Sequence, residues 1–120
     1  MSQEVRDKLA ALEGWIVEDT DVQPGRGPSQ VWRNGDGDWV PLEAHPIPDD
    51  PNTCAAMWDR HAGEKGWRRM CNADGDWYAF ELKGERRYVT VGHSGHDAAS
   101  ELRDRWALLG EVLKARGVWA

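Results

Sequence analysis

Two hexamers in this chain, NGDGDW at residues 34–39 and NADGDW at residues 72–77, agree at five of six positions. Each sets an Asp-Gly pair between aromatic and aliphatic neighbours. Glycine adopts φ > 0 without a steric cost and aspartate tolerates it. Asp36-Gly37 and Asp74-Gly75 therefore predict the centres of two tight hairpin turns. A calcium loop is the competing reading, because D-x-D-G resembles part of an EF-hand. Such a loop needs oxygen ligands at positions 1, 3, 5 and 12 and glycine at 6. Counting from Asn34 puts Trp39 at position 6 and His45 at position 12, and counting from Asn72 puts Trp77 and Lys83 there. Neither frame supplies the ligands, so no metal and no cofactor is expected.

Around these turns the hydrophobic pattern sets out the rest of the chain. Residues 3–13 predict a helix, with Val5, Leu9, Leu12 and Ile16 at helical spacing and Gly14 as its C-terminal cap. Residues 15–17 read as a short strand or as a staple closing that helix. Residues 18–29 carry Pro24, Gly25, Gly27 and Pro28 and predict a loop. Residues 30–33 and 39–42 are short strands about the first turn, with Pro41 marking an edge or a bulge. A proline-rich segment (44–51) leads into a helix near 52–63, capped by Asp50 or Asn52, with Cys54, Met57, Trp58 and His61 as its buried stripe. Residues 66–71, 76–82 and 87–91 predict three strands, Phe80 and Leu82 reading as the core face of the middle one. Residues 97–116 form the longest helix, with Ala98, Leu102, Trp106 (or Arg105), Leu109 and Leu113 as its stripe and Gly117 at its end. The expected fold is a single α+β domain over residues 1–120. Its order is α-ββ-α-βββ-α, an antiparallel sheet of about four to five strands with helices on both faces.

The net charge is −6, from 15 basic and 21 acidic side chains. That argues against direct nucleic-acid binding, which needs clustered cations to displace counterions, and fits docking onto a basic partner. No apolar run approaches a membrane span, and the first ten residues lack a signal-peptide core. With only two cysteines, Cys54 and Cys71, the reading is a cytoplasmic protein with reduced thiols. Eight tryptophans against two tyrosines and one phenylalanine exceed what a small core needs. Trp32, Trp39 and Trp77, beside the two turns, are assigned to an interface, where indoles are favoured anchors.

The most catalytic-looking stretch is GHSGHD at residues 92–97. It lacks the second glycine of a nucleophile elbow. Ser94 and Asp97 read as a capping-box start for the last helix, and the N–H groups there suit a small anion. A ligand site for a nucleotide or similar anion would combine Ser94, Gly95 and His96 with Arg68, Arg69, Arg86 and Arg87, provided the arginine pairs meet on adjacent strands. A metal-dependent hydrolase using His93, His96 and Asp97 is the further alternative. No coherent catalytic set emerges, so no catalytic residue is assigned.

Several segments together resemble the phage ABA sandwich domain, a family of small phage and prophage proteins. They are Gly14-Trp15, the TCAAMW helix start at residues 53–58, Gly66-Trp67, Trp77-Tyr78 and the RWALLGEVLKA run at residues 105–115. The resemblance implies a sheet with helices on both sides and lends neither an enzymatic activity nor catalytic residues. With the size and acidity of the chain, it implies a non-catalytic accessory protein in the bacterial host cell. Such a protein binds a host or phage protein, for example as a counter-defence inhibitor. The edge near Pro41 leaves homodimerisation open.

Overall fold

The computed structural model describes residues 3–20 and 29–119. The fold is α+β. The described residues group into two compact units, one ending at Pro48 and the other beginning at Asp49. Among the described residues the strands number six and form two separate three-stranded antiparallel sheets, in place of the expected single sheet of four or five strands.

The N-terminal unit holds helix α1 (Gln3–Leu12) and strands β1 (Ile16–Thr20), β2 (Ser29–Arg33) and β3 (Trp39–Pro41), ordered β1-β2-β3. Leu9 and Ala10 of α1 are fully buried. Gly14 takes φ +92° and lets the Trp15 N–H bond back to the Ala10 carbonyl at 2.9 Å, the expected glycine cap. Most of the loop expected over 18–29 falls outside the described residues. After Pro41 the chain leaves the sheet, because Pro41, Pro46 and Pro48 have no N–H to offer a ladder.

His45, which reads as an ordinary loop residue, ties this unit together. Its Nδ1 accepts the Ile47 N–H at 3.0 Å, so its proton sits on Nε2 and is donated to Asp7 of α1 at 3.0 Å. The same ring lies 4.9 Å from the buried Trp32 indole. Arg6 of α1 donates to the Ile47 carbonyl at 2.8 Å.

The C-terminal unit opens with helix α2 (Pro51–His61). Asp50 accepts the Thr53 N–H at 2.7 Å and Pro51 occupies the first turn, where its missing donor costs nothing. Cys54 and Trp58 are buried, while Met57 and His61 are half-buried. A 3₁₀ turn (Gly63–Lys65) leads into strands β4 (Trp67–Cys71), β5 (Trp77–Glu81) and β6 (Tyr88–Val91), then helix α3 (Ala98–Ala115). The strands form a meander ordered β4-β5-β6. Trp106, Leu109 and Leu113 of the expected α3 stripe are buried together with Leu108 and Val112. Ala98 is exposed. Asp97, not Ser94, caps α3, accepting the Ser100 N–H at 2.7 Å.

Register divides the second sheet into two faces. Trp67 pairs with Glu81, Arg69 with Ala79, and Cys71 with Trp77, while Arg68 pairs with Phe80 and Met70 with Tyr78. Helix α3 packs against β5 and β6, and Ala79 is fully buried. Arg69 lies over the Trp58 ring of α2 at 4.9 Å. The face under the helices is therefore Trp77, Ala79 and Glu81. Phe80 and Leu82 lie on the opposite, open face, contrary to the expected assignment, so in this unit the helices cover only one side.

Candidate functional site: a cleft, dispersed arginines and two exposed faces

The twin hexamers are the same backbone device. In each, the asparagine N–H bonds the carbonyl of the residue four positions on: Asn34 to Asp38 at 3.1 Å, and Asn72 to Asp76 at 2.9 Å. In each, the asparagine Oδ1 accepts two N–H groups, from Asp36 and Asp38 and from Asp74 and Asp76. Gly37 and Gly75 bond back to Asn34 and Asn72 at φ +87° and +89°. Each is thus a type I turn closed by a left-handed glycine, with asparagine as its organiser. The turn reading holds, although Gly closes the turn instead of sharing its centre with Asp.

The surroundings of the two turns differ. Asp76 of the second accepts the His93 N–H at 3.2 Å. A Cβ on Gly75 would stand 3.6 Å from His96 and 3.7 Å from His93. The GHSGHD segment is folded against this turn. Ser94 donates its N–H to Asp104 Oδ2 at 3.0 Å and its hydroxyl to Asp104 Oδ1 at 2.9 Å. Asp104 is 5% exposed, so Ser94 satisfies an otherwise costly buried carboxylate. Between segment, turn and helix lies a cleft of about 270 Å³ lined by Cys71, Gly75, Trp77, Gly95, His96, Glu101 and Asp104.

The chemistry of that cleft follows from its bonds. The Ser94 hydroxyl is directed at the Asp104 carboxylate, not at an imidazole, so it does not form a Ser-His pair. The His93 and His96 rings lie 4.9 Å apart, tilted by 31°, and Asp97 is engaged as the α3 cap. Among the described residues no group of three His, Cys, Asp or Glu side chains is placed to hold a metal ion. Glu101 and Asp104 make the cleft acidic at the helix start expected to take an anion.

The four arginines do not form one cluster. Arg68 lies on the open sheet face and Arg69 on the helix-covered one. Arg69 stands over Trp58 and 6.0 Å from the Trp77 ring. Arg68 and Arg69 edge a second cleft, of about 590 Å³, with Trp58 and Trp67. Arg87 binds Glu81 at 2.6 Å, reaches the Ala115 carbonyl and covers Trp67 at 5.7 Å. Arg86, at φ +54°, is exposed in the β5–β6 link. Ser94, Gly95 and His96 are together, but the arginine pairs do not converge on them.

Of the three indoles assigned to an interface, Trp32 is 6% exposed and Trp39 is 56% exposed. Trp77 is half-buried in the acidic cleft. Trp39 stands directly across from Arg33, which stands across from Ile16, itself 56% exposed. Two exposed apolar groups thus stand at the ends of one row of the first sheet, with Arg33 between them in an ion pair to Glu18 at 2.7 Å. Sequence alone could not separate Trp39 from Trp32, since both flank the same turn. The alternation of the strands and the His45 contact decide which one is covered.

These features define an α+β protein whose first sheet exposes Trp39 and Ile16 on either side of Arg33. Comparison with family models, with curated proteins and with solved structures returns no match. Among the described residues no helix is long and apolar enough to cross a membrane.

Proposed function

We propose that this protein acts by binding another protein, without catalysis, with Trp39 as the anchor. The observation that carries this reading is the exposure of Trp39 and Ile16 on one row of the first sheet, bordered by the exposed carboxylates of Asp36, Asp38 and Glu43. Residues 1–48 hold nine acidic and four basic side chains, so most of the net charge of −6 lies in this part of the chain. An indole among carboxylates suits a basic protein surface: the ring supplies buried contact and the charges steer the encounter. The resemblance to small phage proteins adds the setting, a phage or prophage accessory factor acting on a host or phage protein in the bacterial cytoplasm, as a counter-defence inhibitor does.

The test is capture from host lysate with the full chain and with Trp39→Ala, followed by cross-linking and mass spectrometry. A basic protein held by the native chain, and lost with Trp39→Ala or at high salt, supports the reading. Equal capture by both chains removes it. The nucleotide-sponge reading is less favoured, since Glu101 and Asp104 line the cleft where the anion would sit. Its check is a thermal-shift screen with nucleotides, in which no rise in melting temperature is expected.

A further inference from the structure

The open face of the second sheet has a different character from the row that carries Trp39. Tyr78 and Phe80 lie along β5 with ring centroids 6.4 Å apart, and Tyr78 and Tyr88 are 6.0 Å apart across to β6. Met70, Leu82 and Tyr88 are 50%, 46% and 62% exposed. A contiguous patch of rings and aliphatic groups left in water marks an interaction surface.

The charges at its two ends are opposite in sign. At the Leu82 end stand Arg68 on β4 and Lys83 and Arg86 in the β5–β6 link, all exposed, with Glu85 among them. Glu81 does not offset them, because it lies on the other face, bound to Arg87. At the far end the turn over 72–76 presents Asp74, exposed, and Asp76. We propose that this face is closed by a second copy of the same chain.

A two-fold axis lying in the face and running across the strands sets the basic end of each copy on the acidic end of the other. The ring patches then stack between them, giving a self-complementary interface. A partner of uniform charge would satisfy one end of the face and oppose the other. The overall acidity does not prevent the pairing: residues 49–120 hold twelve acidic and eleven basic side chains, close to neutral.

The experiment is sedimentation velocity on the full chain over a concentration series, with circular dichroism to confirm that each variant is folded. The native chain is expected to be dimeric. Tyr88→Ala should be monomeric, and Arg68→Glu and Asp74→Arg should each weaken association by roughly tenfold or more, through like charges brought face to face. Mixing those two charge variants should restore a dimer. The carboxylate introduced at position 68 of one copy then meets the guanidinium introduced at position 74 of the other, while the second pair keeps its native signs. A native chain that stays monomeric throughout overturns the proposal. So does a dimer indifferent to Tyr88→Ala, or a mixture of the charge variants that does not associate. Capture of a different protein by this face in place of a second copy also counts against it.

Discussion

Asp104 holds Ser94 at two points, one carboxylate oxygen taking the Ser94 N–H and the other its hydroxyl. The pair joins the first turns of α3 to the segment that runs up from β6. Because Asp104 is buried, the bonds satisfy a charge that would otherwise be costly inside the protein. Asp104→Ala removes the acceptor of the Ser94 N–H, leaves the hydroxyl only its longer bond to the Ser100 carbonyl at 3.4 Å, and should lower stability by about 1–3 kcal/mol. Urea unfolding followed by tryptophan fluorescence measures it, and a Ser94→Ala variant should cost less, since it keeps the backbone bond.

Gly95 sits where a side chain has no room. A Cβ there would stand 2.6 Å from the Ser100 hydroxyl oxygen and 3.2 Å from the Ser100 Cβ, and Ser100 is only 7% exposed. Gly95→Ala is expected to destabilise by about 1–3 kcal/mol, as overpacking does. Gly35→Ala, with nothing within 4 Å, should be close to neutral. Equal melting temperatures for the two would contradict the close approach.

The two asparagines offer a matched comparison. Each Oδ1 organises a turn through two N–H bonds, so Asn34→Ala and Asn72→Ala should each cost about 0.5–1.5 kcal/mol. Asn72→Ala should cost more, because its turn also positions Asp76 for the His93 N–H. Thermal unfolding of the two variants ranks them.

Cys54 is fully buried, and burial pushes its thiol up from the ordinary value, against the opposing pull of Arg105 and Arg69. Cys71 is exposed. Iodoacetamide on the folded protein should therefore modify Cys71 alone, and both thiols after denaturation. Modification of Cys54 in the folded protein would show that this core opens readily.

Acid should act partly through the helix caps. The Thr53 N–H holds the Asp50 carboxyl below the usual carboxylate range, and the Ser100 N–H does the same for Asp97. A lowered folded-state value gives stability that is present above the ordinary carboxyl range, near pH 4, and lost as pH falls through the lower values. Asp50→Asn and Asp97→Asn keep a capping oxygen without the titration. Their unfolding curves should flatten between about pH 5 and pH 2 relative to the native chain.

Local chemistry alone determined a good deal of this protein. The Asp-Gly pairs specified two tight turns, Asp50 and Pro51 specified the start of α2, Gly14 and Gly117 the ends of two helices, and short links the antiparallel meander. These signals are legible because each acts on backbone within a few residues of itself. Tertiary structure decided what no local signal distinguishes. Along β5 both alternating sets, Trp77-Ala79-Glu81 and Tyr78-Phe80-Leu82, carry aromatic groups, and the second is the more apolar. The first is nonetheless the covered one: Ala79 leaves room for α3, and Arg87 neutralises Glu81 beneath the helices. The same strand alternation put Arg68 and Arg69 on opposite faces, and the contact between Trp32 and His45 left Trp39 as the exposed indole. Burial depends on which distant surface arrives, and that is a property of the assembled chain, not of any stretch within it.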